Sequence, residues 1–327
     1  MSAQQRLRLR RGRVVAVERP GAAAELRVEV EGEERRAISY GAMTGEARAG
    51  DEVVVNVAAL DLGLGSGGFD VVHANLTSGL AGEGEQGAHV MKLNYSSLQH
   101  AVHPVEERAG SLEPPLAAPV AVTFLHGQLP CVAWQAAQIS PGARIGFVQT
   151  AGGALPGELS RTVAALRERD LLAGHVSAGA AFGGEHEAVS TPGALHAGLT
   201  ALGWDAAIAG PGPGILGSAT ALGHGGMAAL DSAHAALALG CETILVPRMS
   251  DGDPRERHRG ISHHTQTVVD MLLAPVTLAD PEVGGVDLDG YIDSGLPVST
   301  MGRGPAEDPL FFRAALAGGV ALGKAVT

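Results

Sequence analysis

From Pro119 onward the sequence alternates short apolar runs with segments of helical period, a pattern that few folds accept. The apolar runs lie at 120–125, 143–149, 174–182, 205–209, 243–247 and 276–279. Between them, residues 128–139, 158–172, 193–202, 219–239 and 265–273 carry apolar side chains at helical spacing. Strands that are apolar on both faces belong in a covered sheet, and strand–helix–strand crossovers make them parallel. The expected fold class is α/β, with a doubly wound, mainly parallel sheet over residues 119–285.

Residues 1–78 follow a different pattern. Stretches at 14–18, 25–31 and 35–40 alternate or nearly alternate, with Glu31-Gly32-Glu33 as a hairpin turn, and further runs follow at 53–57 and 69–74. Short strands punctuated by glycine, with no helical period, predict a small β-barrel-like domain. Residues 79–118 form a linker and motif segment that contains Lys92 and Tyr95. Residues 286–327 read as a turn-rich tail whose final helix, near 308–325, packs on the core. The glycines and lysine at 318–324 superficially match a phosphate loop, but no Ser or Thr follows Lys324.

A formal charge of −12 and 3% aromatic residues argue against a nucleic-acid surface. No uninterrupted apolar run reaches the roughly 18 residues that span a bilayer, and no charged-then-apolar leader opens the chain. A cytoplasmic protein with no membrane partner is expected. Cys131 and Cys241 sit in apolar runs without a C-x-x-C pair, so neither a disulfide framework nor a cysteine zinc site is indicated. The chain has 21 Arg and only two Lys, which singles out Lys92 inside its polar motif.

Open parallel sheets bind ligands beyond the carboxyl ends of their strands, and here those loops are the glycine-rich or polar ones. Gly152 and Gly153 after the second strand, and Gly212 and Gly214 after the fourth, are expected just ahead of helices. Free backbone N–H groups there can cradle an anion. Ser160 and Arg161 open the helix after the first of these loops, as caps or anion contacts. Residues 212–217 fit G-x-G-x-x-G but follow the fourth strand, and the next strand runs into Arg248 rather than an acid. A nicotinamide dinucleotide is therefore disfavoured.

The loop after the fifth strand, residues 248–267, holds two Asp, four Arg and three His. Arg248, Arg255, Arg257 and Arg259 present forks suited to phosphate or carboxylate, while Asp251 and Asp253 balance or orient them. His263 and His264 stand at the start of a helix with Ser262 as its cap. Neighbours on a helix point about 100° apart, so one is expected to point into the site and the other to orient it or to pack elsewhere. Metal-ligand candidates are His263, His264, Asp251, Asp253, His126 and Glu185. Their spacing matches no established metal motif, and the cofactor stays open between a divalent metal and none. Without a metal, His beside a carboxylate is an acid–base pair. No G-x-S-x-G elbow is present.

Several motifs in order, HVMKLNYSSLQ at 89–99, TAGGALPGELSRTVAALRE at 150–168, AFGGEHEAV at 181–189, GPGPGILGSAT at 210–220 and RHRGISHHT at 257–265, resemble the DUF3866 family. The resemblance covers about residues 10–285 and implies a bacterial, cytosolic protein, with no mechanism attached. The chain departs from the expected pattern at Asn94, where a basic residue is expected, and at Ser97, where a proline is. The residues themselves predict an enzyme acting on a small phosphorylated or carboxylated metabolite by hydrolysis or group transfer. His263, His264, Asp251, Asp253 and Lys92 would carry the chemistry, with Tyr95 beside Lys92 as a ligand contact. The alternative is a noncatalytic sensor or assembly protein using the same pocket. The apolar sheet edge and the barrel suggest a homodimer.

Overall fold

The computed structural model describes residues 6–65 and 67–326. The chain divides into two compact units, Met1–Ala101 and Val102–Thr327.

In the first unit, β1 (Leu9–Arg19), β2 (Ala23–Val30), β3 (Glu33–Tyr40), β4 (Glu52–Asn56) and β5 (Asp70–Asn75) close into a barrel of order β1-β2-β3-β5-β4. The alternation read from the sequence fills its interior with Val14, Leu26, Val28, Val53, Val55 and Val72. At the hairpin turn Glu31 and Gly32 both take left-handed φ, 53° and 87°, the twist that a two-residue turn between strands requires. The single parallel pair, β3 with β5, carries Arg35 on a buried carboxylate, Nε to Asp70 Oδ2 at 2.6 Å. Two single-turn helices, α1 (Gly41–Thr44) and α2 (Ala58–Asp61), lie between barrel strands, and β6 (Val90–Lys92) pairs with β7 (His100–Val102) as a short ribbon.

The second unit is built on a seven-stranded sheet. Its strands are β8 (Pro119–Thr123), β9 (Ile145–Thr150), β10 (Gly174–Ala178), β11 (His186–Ala188), β12 (Ala206–Pro211), β13 (Glu242–Val246) and β16 (Thr277–Leu278). The order is β11-β10-β9-β12-β8-β13-β16, and every pairing is parallel. Between β13 and β16 the chain makes the small antiparallel pair β14 (Met249–Ser250) and β15 (Gly260–Ile261). All residues of β8, β9, β10 and β12 are buried, as continuous apolar runs require.

The helices are α3 (Leu129–Ile139), α4 (Arg161–Glu168), α5 (Thr191–Thr200), α6 (Ala228–Ala238), α7 (His263–Met271), α8 (Leu288–Asp293) and α9 (Pro309–Val326). Helix α3 packs on α4 and α9, α5 packs on α6, and both groups touch the central strands, which covers the sheet on two faces. Gly319 and Gly323 let α9 close on α3, since a Cβ at either would fall within 2.7 Å of it. The glycines that mimic a phosphate loop thus serve helix packing. By length and composition α9 is the one described helix apolar enough to cross a membrane, and 61% of it is buried inside the protein. Arg313 and Lys324 interrupt this helix of mean hydropathy 1.3, so it is not an unbroken apolar run.

Two expectations change. The loop read at 183–187 turns into an edge strand, because residues 186–188 pair with β10 in register Val176 to His186. The helix expected from 219 begins only at Ala228, since Gly223, Gly225 and Gly226 surround His224 and favour irregular chain.

Trp204 is seated on glycines. A Cβ at Gly146 would lie 2.0 Å from its ring, and one at Gly198 2.4 Å. Because the indole is 3% exposed and enclosed, it has nowhere to move. Gly146→Ala is expected to lower stability by about 3 kcal/mol, read as a reduced urea midpoint with an unchanged slope.

Candidate functional site

The site gathers where β12, β8 and β13 end side by side. Gln128, fully buried in the turn after β8, accepts from Phe124 N and Leu125 N at 2.9 and 3.1 Å and donates to the Val246 and Pro247 carbonyls at 3.1 and 3.0 Å. One side chain thus binds the ends of two neighbouring strands and fixes where Arg248 leaves the sheet. The Arg248 backbone is held again by Thr265, whose Oγ1 accepts from Arg248 N at 2.9 Å.

The loops after β12 and β13 enclose a cavity of about 350 Å³. Arg248, Arg255, Arg257, His258 and His264 line one side, and Ile215, Leu216 and Met301 supply apolar wall. Arg248 is 2% exposed. Its Nη1 donates to His264 Nδ1 at 3.0 Å, its Nη2 lies 3.5 Å from both Met301 Sδ and Asp253 Oδ2, and its Nε has no partner. A buried, unpaired guanidinium donor is costly, and a guanidinium can only donate. The same rule fixes His264: its Nδ1 accepts, so the neutral ring carries its proton on Nε2.

Beneath the cavity Asp253, fully buried, takes both arms of Arg255 at 2.9 Å and one of Arg303 at 3.3 Å. Arg303 also reaches buried Asp308 at 3.0 Å, which accepts from Ser250 at 2.6 Å. Burial alone would raise the Asp253 pKa, but the hydrogen bonds and charge of Arg255 hold it well below the usual carboxylate range. Burial, then the neighbouring Arg255 charge, pushes Arg248 down to about 10.

Four histidines meet here. His263 and His264 occupy the first turn of α7, which Ser262 caps by accepting from His264 N at 3.2 Å. His224 comes from the loop after β12, and its ring stacks on His264 at 3.5 Å with 10° between planes. His258 lies 4.9 Å from both α7 rings, its Nδ1 2.7 Å from Ser262 Oγ. Neither ring nitrogen of His224 nor Nε2 of His263 has a partner among the described residues. Burial first, then Arg248, brings His264 down to about 2 and His258 to about 3, and burial also lowers His224 and His263. The rings are neutral bases at pH 7.

Both helix histidines therefore join one cluster, His264 on the cavity wall and His263 against it at 4.4 Å, the orienting arrangement rather than separate packing. Nitrogens of His224, His263 and His264 fall within 4.8 Å of one another, a spacing open to a metal ion. The ring geometry favours another occupant. A ligating lone pair lies in its imidazole plane, and planes stacked as in His224 and His264 cannot both contain one ion. Arg248 adds a positive charge and a donor that no cation can satisfy.

The remaining sequence candidates fall elsewhere. Asp251 is exposed, and its Oδ1 lies 3.4 Å from Leu310 N. Arg259 donates to the Asp253 carbonyl at 3.2 Å. Gly153 and Gly212 bring two loops together: a Cβ on Gly153 would meet Gly212 O at 2.1 Å, and one on Gly212 would meet Ala154 O at 2.2 Å. Gly152 is left-handed at φ 110° and abuts Gly225, while Gly214, at φ 69°, has open space. Ser160 caps α4 and lies 2.6 Å from His126 Nε2, whose Nδ1 meets the Pro211 carbonyl at 3.1 Å, so both His126 nitrogens are engaged. Arg161 begins α4, and Glu185 pairs with Arg167. Lys92 and Tyr95 belong to the first unit, Lys92 buried at the end of β6 and Tyr95 exposed on a turn at φ 59°.

Sequence reasoning missed His224 and passed over His258. The glycines around His224 signal a loop, but the alanines and leucines that follow extend a helical pattern back across it.

Fold and site together define an α/β protein with an N-terminal barrel and an arginine- and histidine-lined pocket at the carboxyl edge of a parallel sheet. The chain belongs to the family described as protein of unknown function, DUF3866, whose model matches residues 36–294. No curated protein and no solved structure matches it.

Proposed function

We propose that this is a bacterial cytoplasmic enzyme that binds a small anionic metabolite, phosphorylated or carboxylated, and acts on it by histidine acid–base catalysis. One observation carries the reading: Arg248, whose buried Nε has no partner among the described residues, lines a cavity of about 350 Å³ together with the neutral imidazoles of His258 and His264. That volume suits a small molecule. An anion would satisfy the donor, and its charge would raise the proton affinity of the imidazoles, readying them to take a proton and return it. His264, on the cavity wall, is the foremost base, and the rings of His224 and His263 adjoin it at 3.5 and 4.4 Å. Hydrolysis and group transfer both fit this set.

The test is a thermal-shift screen of phosphorylated and carboxylated metabolites, followed by mass spectrometry of each stabilising mixture for product. Saturating ligand at about 100 times its Kd should add about 2.7 kcal/mol. His264→Ala should retain a ligand shift and lose about 10²- to 10⁴-fold in turnover. Binding without product from wild type would make the pocket a sensor, and no stabilising anion would remove the reading.

A further inference from the structure

The charges around the cavity discriminate between kinds of anion. No carboxylate lines it, and its charged lining groups are Arg248, Arg255 and Arg257. Arg255 gives Nε and Nη2 to Asp253, and Arg303 lies between Asp253 and Asp308. Arg257 is exposed and makes no hydrogen bond or ion pair among the described residues. The three lining guanidinium groups therefore share the one carboxylate Asp253, and among the described residues donors are left on Arg248 through Nε, on Arg255 through Nη1 and on Arg257 through its whole fork. This occurs in a chain of net charge −12, where local positive charge is the exception.

A carboxylate brings one charge and two oxygens. A phosphate monoester carries about −1.5 to −2 at pH 7 and presents three acceptor oxygens. Part of the wall is apolar: Ile215, Leu216 and Met301 line the same space, and Leu216 is 67% exposed. Inorganic phosphate has nothing to place there.

Resting on the anion reading above, we propose that the ligand is a small phosphate monoester. Its phosphoryl oxygens take the Arg248 Nε proton and the Arg257 fork, and its organic body lies along Ile215, Leu216 and Met301. The neutral imidazoles of His258 and His264 complete the polar side.

The test is isothermal titration of the full-length protein at pH 7.5 with phenyl phosphate, benzoate and inorganic phosphate, each with and without Zn²⁺. Phenyl phosphate should bind at least about tenfold tighter than either of the others, a gap of about 1.4 kcal/mol. Arg257→Ala, an exposed position, should weaken phenyl phosphate about tenfold while leaving the melting temperature of the free protein unchanged. Leu216→Ala should bring phenyl phosphate down toward inorganic phosphate. Benzoate binding as well as phenyl phosphate would overturn the monoester while leaving an anion pocket. Equal affinity for phenyl and inorganic phosphate would overturn the apolar wall. Binding of none of the three to wild type would sink this inference and the anion reading together, and binding that requires Zn²⁺ would replace both with a metal centre.

Discussion

Asp253→Ala is expected to destabilise the protein by about 3–5 kcal/mol, measured as a shift in urea midpoint. Asp253 is fully buried, and Arg248, Arg255 and Arg303 place nitrogens at 3.5, 2.9 and 3.3 Å from its Oδ2. Removing the carboxylate leaves Arg248, 2% exposed, without its counter-charge and Arg303 with only Asp308. The cost of taking out one partner of a buried cluster comes mainly from the charges left behind. Asp253→Asn keeps the side-chain shape, removes the negative charge and keeps one of the two acceptor oxygens. It should fall between wild type and Ala. If Asp253→Ala melted within 1 °C of wild type, the network would be ornamental and the cavity's charge differently arranged.

The second large effect is acid lability. His126, fully buried, is brought down to about 4 by burial, and His175 to about 3 by burial and then by the neighbouring His126. His258 and His264 add to the set at about 3 and about 2. All four folded values lie below the ordinary histidine value of 6.5. Above that pH neither folded nor unfolded chain holds the proton, and these groups are silent. As pH falls below it the unfolded chain binds protons that the fold refuses, so stability drops until the folded pKa values are reached. Each histidine contributes up to about 1.4 kcal/mol per pH unit across that window. Denaturant midpoints should therefore be level from pH 8 to 7 and decline from pH 6.5 to 5, partly offset by Glu158, which burial raises to about 6. His175→Gln, which can keep the hydrogen bond to Gln149, should shallow the decline whatever it does to stability at pH 8. A midpoint constant down to pH 5 would contradict the buried neutral state of these rings.

The sheet was legible because burial on two faces leaves a mark on every residue of a strand, and the barrel because burial on one face leaves alternation. Strand β11 was not: three residues at the sheet edge carry too little apolar signal to stand out from a loop. In the site, the loop after β13 was legible from its density of charge. Which charges face the cavity was not, because Asp253 and Asp251 are two residues apart in one turn and read alike, yet one is fully buried and the other exposed. The adjacent histidines left two arrangements open for a geometric reason. The 100° rule describes where side chains leave a helix, and two rings at its first turn can still converge on a third group brought by another loop.

Gln128 bears on this pocket from a distance. It joins the ends of β8 and β13 with four hydrogen bonds, and Arg248 follows directly after the second of its carbonyl partners. The position of Arg248 is thereby settled when the chain folds, and an incoming ligand has no ordering entropy to supply at the base of the cavity. At the rim the Leu216 backbone is bonded to Gly152 and Gly225, but the side chains of Leu216 and Arg257 are exposed. Affinity should accordingly reside in a base set once by folding, and selectivity in a rim that related chains can alter without disturbing it.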